Sequence, residues 1–320
     1  MTIAYFLARK LGLAAATMLA VSFLVFLALE VNVNDVAVKV LGQFSTADQR
    51  AAWLLANGYR DPFLLRYARW LGDFVTGDWG VSTYYRAPIA DLIADRLRAS
   101  AILAGGALLV IVPVSLVLGV LAGMRVGSPT DRAVSVFSVL TTSIPDFASA
   151  VFLSAIFVFW LGWLPGASTM LTGLDLRELV LPVVVLSLYF TGYVVRITRA
   201  SMAEVMAAPY VRTARLKGAS RLRIVWRHAL RNALIAPVTV ILLHISWLLS
   251  GVIVVEVFFA YKGFGTLLYE AALNSDVYLI EACAMVSVAA VVLTQILSDI
   301  AYTWINPRIS FSVATARAEA

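Results

Sequence analysis

The chain has 320 residues, 61% of them hydrophobic and 14% charged, with a mean hydropathy of +0.88. That is too apolar for a water-soluble domain of this length. The net charge of +6 is assigned to loops that fix orientation in a membrane rather than to nucleic-acid binding. One cysteine, Cys283, excludes an intrachain disulfide and a cysteine-based metal site, and two histidines, His228 and His244, are too few for a histidine-rich one.

Six segments approach the ~20 apolar residues that cross a bilayer core: 11–29, 100–122, 133–161, 179–195, 234–259 and 281–304. The first follows Arg9 and Lys10. It is longer than a signal-peptide core and no small-x-small cleavage site follows it directly, so it reads as an uncleaved span. The loop 30–98 carries helical signals. Ser45-Thr46-Ala47-Asp48 is a helix start, Asp61-Pro62 opens an apolar-periodic stretch with Phe63, Leu64, Tyr67, Trp70 and Leu71, and Gly77, Gly80 and Pro88 punctuate its end. A third amphipathic piece, Ile89 to Leu97, leads into the second span.

In the third span Pro145 predicts a kink beside Asp146, which is either a pathway residue or a helix-packing contact. Arg196 marks the end of the short fourth span. In the fifth, His244 reads as a hydrogen-bonded core residue, and Glu256 as a group lining a polar pathway or holding the neighbouring external loop. Glu281 and Asp299 lie near span ends, where a solvated or capped carboxylate is the ordinary outcome. Phe157, Phe159, Trp160, Trp163 and Tyr189 read as interfacial belt or packing residues.

Between the fourth and fifth spans lies the basic stretch 196–233, with nine Lys/Arg and one acid, Glu204. Leu222, Val225, Trp226, Ala229, Leu230 and Ala233 share one helical face; Arg221, Arg223, Arg227 and Arg231 share the other. Gly218 supplies a helix stop and Ser220 a new start. This stretch, both termini and the loop with Arg125 and Arg132 carry fifteen Lys/Arg, against Arg177 and Lys262 in the short loops of the opposite side. The positive-inside rule places both termini and 196–233 in the cytoplasm, and the long loop 30–98 outside. A phosphate loop, a zinc-helix motif, a C-x-x-C pair and a nucleophile elbow are all missing from the sequence, so no catalytic or metal-binding residue is assigned.

Tyr210-Val211-Arg212-Thr213-Ala214-Arg215-Leu216-Lys217-Gly218 and Arg227-His228-Ala229-Leu230-Arg231-Asn232-Ala233-Leu234 resemble the "EAA" loop of inner-membrane permease subunits of bacterial ABC importers, in the dipeptide/oligopeptide/nickel branch. Further matches are Asp61-Pro62 with Gly77-Asp78-Trp79-Gly80, Ser143-Ile144-Pro145-Asp146-Phe147, Val254-Val255-Glu256-Val257-Phe258 with Gly263-Phe264-Gly265, and Asp299-Ile300-Ala301-Tyr302 with Asn306-Pro307-Arg308-Ile309. Three positions depart from the pattern. Val31-Asn32-Val33-Asn34-Asp35 replaces the usual P-G-D-P, Lys262 stands where a proline usually precedes Gly263, and Asn306 replaces an aspartate. The first two bear on the substrate, for which di- or oligopeptide, opine, sugar conjugate and nickel complex all stay open.

The resemblance implies an all-α membrane protein of the type I importer permease kind, with six transmembrane helices and a helical periplasmic insertion. Its divisions would be 1–29, the insertion 30–98, the core 99–304 and the tail 305–320. It implies a coupling helix near Met206 to Lys217 and a return helix over 220–233. The coupling residues would be Glu204, Tyr210, Val211, Arg212, Ala214, Leu216, Lys217, Gly218, Arg227, His228, Arg231 and Asn232, and the pathway or gating residues Asp146, Glu256 and Lys262. Implied partners are a second permease, a paralogue in this branch, two cytosolic ATPases carrying ATP and Mg, a periplasmic substrate-binding protein and the lipid of the bacterial inner membrane. No cofactor and no nucleic acid is implied for this chain. The alternative, an ion-gradient-driven secondary transporter, calls for matched broken helices and midplane acids in two halves, and the sequence has neither.

Overall fold

A computed structural model describes residues 3–30, 33–170, 173–249 and 253–305. In chain order the helices are α1 (Ile3–Glu30), α2 (Val33–Leu41), α3 (Ala47–Ala56), α4 (Phe63–Thr76), α5 (Ile89–Gly123), α6 (Pro129–Ser143), α7 (Asp146–Ser154), α8 (Leu176–Ala207), α9 (Pro209–Leu216), α10 (Arg221–Ile224), α11 (Leu230–Ala233), α12 (Ile235–Leu249), α13 (Ile253–Phe258), α14 (Phe264–Leu273) and α15 (Val277–Ile305). Wide π turns follow α7 (Ala155–Trp160) and join α10 to α11 (Val225–Ala229). Among the described residues four helices are long and apolar enough to cross a membrane, and the number rises to six if each of two bent helix pairs forms one span. The motif Asn306-Pro307-Arg308-Ile309 and residues Val31 and Asn32 lie outside the described residues.

The helices form two compact units. The first comprises residues 1–100 and 262–293. Here α3 starts at a capping box: Gln49 N donates to Thr46 Oγ1 at 3.2 Å, and Thr46 N donates to Gln49 Oε1 at 2.9 Å. Proline at 62 precedes α4, and Gly77, at φ +87°, ends it in the left-handed conformation that glycine adopts at low cost. The apolar side of α4 meets α1 in an aromatic cluster in which Phe26 lies 5.3–5.6 Å from Phe63, Tyr67 and Trp70. Helix α2 falls in the part of the loop 30–98 that precedes Ser45, where the sequence reading places no helix; Val36 and Ala37 are its fully buried anchors, and Gly42, at φ +89°, ends it.

The core of this unit joins Ile89 and Ile93 of α5, Phe264 and Leu267 of α14, and Leu279 and Cys283 of α15. Asp276 ties the loop 81–88 to the start of α15. It accepts from Ser82 Oγ at 2.6 Å, Tyr84 N at 3.1 Å and Leu279 N at 3.3 Å. Glu281 corrects one expectation, being 1% exposed rather than solvated. Helix α15 begins at Val277 inside the packed unit, so its second turn is already covered.

The second unit comprises residues 101–261 and 294–320, with α8 packed against α6, α7, α11 and α12. Glycines set the close approaches. A Cβ on Gly119 would fall 2.4 Å from Thr198 Cβ, and one on Gly123 2.6 Å from Arg199 O and Met202 Cβ, so α5 and α8 meet backbone to backbone through a G-x-x-x-G spacing.

Three spans differ from the sequence reading. The third is a break rather than a kink: α6 and the segment Asp146–Trp160 diverge by 102°. Pro145 biases Ile144 to an extended conformation (ψ 123°), which ends α6 outright. The fourth does not stop at Arg196, because α8 continues to Ala207; a charge ends the apolar stretch but does not disfavour helix. The fifth is α12, bent 46° from the helix before it and followed by the separate helix α13.

Candidate functional site

The basic stretch forms a compact hairpin in the second unit. Pro209 holds Ala208 extended at ψ 146°, which terminates α8, and then occupies the first position of α9, where its missing N–H costs nothing. The separate helix therefore starts at Pro209, not near Met206 as the resemblance implied. At its other end Gly218 has φ +77°, as a glycine stop requires. Ser220 Oγ then accepts from Arg223 N at 3.4 Å to start the return helix.

The hairpin is fastened by small contacts. Met202, Val225, Ala229 and Ala233 form a buried cluster with Val205 and Met206 against it, and Val211 of α9 is fully buried. Ser201 Oγ donates to Ala233 O at 2.8 Å, and Asn232 Nδ2 donates to Tyr210 Oη at 3.1 Å. Ala214 and His228 are half-buried. Glu204, Arg212, Lys217, Gly218, Arg227 and Arg231 face outward, and Leu216 is 82% exposed among them. One face differs from the helical-wheel expectation. Leu222 and Trp226 are 67% and 70% exposed, while Ile224 and Val225 are buried. The π turn over Val225–Ala229 widens the helix and shifts its phase, so the buried stripe becomes Val225, Ala229 and Ala233.

The sequence reading missed an ion pair beside this hairpin. Asp131, 3% exposed, accepts from Arg199 Nη2 at 2.8 Å and also from Arg199 Nε. Gly127 N donates to the same carboxylate at 2.8 Å. By sequence alone Arg199 counts only as a topological charge. Its i+3 spacing from Arg196 gives no partner, and the partner lies 68 positions away in sequence.

A second feature is a cavity of about 580 Å³ at the α6–α7 break. Asp146 stands in the first turn of α7, and Tyr189 and Phe190 of α8 with His244 and Trp247 of α12 complete the lining. His244 Nδ1 lies 2.7 Å from Val240 O, and its ring meets Phe190 edge-on at 4.7 Å. The half-buried histidine is thus hydrogen-bonded while also lining the cavity. Glu256 is buried in α13, and Tyr261 N donates to its carbonyl at 2.8 Å. Burial, with the Glu256 charge nearby, pushes the Tyr261 phenol up to about 12. Lys262 is exposed and belongs to the first unit, so it is not grouped with Glu256 or Asp146.

An all-helical chain with four to six spans and a basic hairpin between two of them is a polytopic membrane protein. Residues 115–311 match the family described as the binding-protein-dependent transport system inner membrane component, and the chain belongs to that family of transport subunits, which are not enzymes. It is 32% identical over 310 residues to the "Probable peptide ABC transporter permease protein y4tP" of Sinorhizobium fredii, covering 96% of this chain and 99% of that protein. It is 29% identical to the oligopeptide transport system permease protein AppB of Bacillus subtilis, covering 96% and 100%. Among solved structures, a chain of the MetNI methionine ABC transporter in inward-facing conformations superposes with a TM-score of 0.50 at 17% identity, over 68% of this chain and 96% of that one. That likeness carries the type I importer fold alone.

Proposed function

We propose that this chain is the permease subunit of an ATP-driven importer and forms half of the pathway for a peptide-like substrate handed over by a periplasmic binding protein. Its companions are a second permease, a paralogue of this one, and two cytosolic ATPases that carry the ATP and Mg. The peptide class rests on the printed names of the relatives. Both termini and the hairpin are cytoplasmic, following the positive-inside count, and the segment 30–98 is periplasmic.

One observation supports the coupling role above others: α9 is anchored inward by Val211 and presents Leu216 outward among Arg212, Arg215 and Lys217. An exposed leucine ringed by cations suits a cleft that is apolar at its floor and acidic at its rim. ATP-driven closure of the ATPases would push α9 and, through its packing on α8, tilt the spans. Glu204, Tyr210, Ala214, Gly218, Arg227, His228, Arg231 and Asn232 either hold or border that surface. Asp146 lines the cavity through which substrate would pass; Glu256, in the second unit, and Lys262, in the first, are separate gating candidates.

The test is purification of the tagged chain co-expressed with an ATPase pair, a second permease and a binding protein, followed by ATPase assays in nanodiscs. The expected result is an associated ATPase whose rate rises with peptide-loaded binding protein, and loss of that stimulation in Leu216→Asp and Gly218→Pro with normal membrane insertion. Full stimulation in both variants, or a chain that never retains an ATPase, overturns the reading.

A further inference from the structure

The first unit holds a cavity of about 360 Å³ between α1, the α3–α4 connection, α4 and the start of α15. Its inner charged groups are buried, while Arg69, Asp73 and Asp78 line it from the exposed surface. Glu30 and Arg66 form a buried ion pair, with Arg66 Nη1 donating to Glu30 Oε2 at 2.8 Å and Nη2 to Glu30 O at 2.9 Å. Tyr59 Oη donates to the other Glu30 oxygen at 2.7 Å. Glu281 lines the same cavity at 1% exposure, and neither of its carboxyl oxygens has a hydrogen-bond partner. The Trp70 indole lies beside it, outside hydrogen-bond geometry.

Among the buried charged groups of the lining, one guanidinium, Arg66, thus serves two carboxyls, Glu30 and Glu281, and its hydrogen bonds go to Glu30. A buried carboxyl with no donors is unstable in either protonation state. As a carboxylate it lacks compensation for lost hydration, and as an acid it leaves a hydroxyl and a carbonyl unmet. A ligand with positive charge and N–H donors would satisfy both oxygens. The walls favour the same chemistry, since Phe26, Tyr59, Trp70, Trp79 and Tyr278 present aromatic surface to the cavity. A metal ion fits less well: no group of three or more His, Cys, Asp or Glu among the described residues could hold one. A quaternary ammonium would bring charge but no donors.

We propose that this cavity binds a primary ammonium group, which donates to Glu281 and packs against the aromatic walls. Two sources present that group, the amino terminus of a transported peptide and the headgroup of an ethanolamine lipid. The first rests on the peptide-import reading; the site itself does not.

The probes are alanyl-alanine amide and its N-acetyl counterpart, titrated onto the full chain in phosphatidylcholine nanodiscs and followed by calorimetry and tryptophan fluorescence. The free amine is expected to bind at least tenfold more tightly than the acetylated form. Glu281→Gln should weaken it at least tenfold at unchanged Tm, and Asp91→Asn, exposed on α5 and outside the cavity lining, should leave it within twofold. Should Glu281→Gln fail to fold, the amine against acetylamide comparison on the native chain decides alone. No binding, equal binding of the two probes, or native affinity in folded Glu281→Gln overturns the proposal. Nanodiscs rich in phosphatidylethanolamine separate the sources: competition with the probe marks the lipid as occupant, and unchanged affinity marks the peptide. Because no ATPase enters the titration, failure here leaves the importer reading standing, and the reverse holds too.

Discussion

The Asp131–Arg199 pair shows what single residues decide in this chain. The carboxylate is almost wholly buried, whereas the guanidinium is about one-third exposed, its side chain at 31%. Removing the arginine leaves a buried charge held only by Gly127 N and weaker neighbours. Arg199→Ala should therefore destabilise by roughly 3 kcal/mol, seen as a lower Tm in nanodiscs, and adding Asp131→Asn to it should recover most of the loss. Leu216 is the opposite case. It touches little, so Leu216→Asp should change stability by less than about 0.5 kcal/mol in the same assay while removing ATPase coupling. The sequence made Leu216, Gly218 and Asp146 visible because each sits in a local pattern. It hid the role of Arg199, because a cation's partner 68 positions distant is set by helix packing that no local spacing records.

At the scale of elements, prolines and glycines did most of the legible work. Gly77, Gly218 and the Thr46 capping box each end or start a helix where local chemistry says they must. The errors came where a local signal had two outcomes. Pro145 can kink a helix or end it, and the 102° divergence reflects packing of both pieces on α8. Arg196 could close a helix or merely leave the apolar layer, and good helix propensity carried α8 onward. The close α5–α8 contact is a strong constraint of the same kind. Gly123→Ala would force its new methyl against Arg199 O and Met202 Cβ, both 2.6 Å away. It should cost on the order of 1–3 kcal/mol, whereas Gly105→Ala, with open space around it, should leave Tm nearly unchanged.

For the whole molecule, the sequence established an all-helical membrane protein from hydropathy and its likeness from the hairpin. It did not anticipate that residues 262–293 pack with the first 100 as one compact unit. That grouping depends on Asp276 and Ser100, which meet Ser82 and Phe264 across more than 160 positions. Orientation is open to a direct check, because the one native cysteine, Cys283, is fully buried and should stay unlabelled. Cysteines placed at Leu216 and at Phe44, both highly exposed, should react with a membrane-impermeant maleimide from opposite sides. Leu216→Cys should label only in inverted vesicles and Phe44→Cys only in intact spheroplasts. Labelling of both from one side would refute the proposed orientation.

The π turn between α10 and α11 has a consequence for how this hairpin tolerates change in length. A wide turn stores one surplus residue in an otherwise regular helix. Deleting Arg227 would discharge that surplus, and because successive residues of an α-helix are about 100° apart, everything from Arg221 to Val225 would rotate by that amount against Ala229 and Ala233. Such a deletion would exchange which apolar residues meet Met202 and which meet the outside without shortening the helix by a full turn. The hairpin thus behaves like a vernier, in which one amino acid more or less re-aims an entire face.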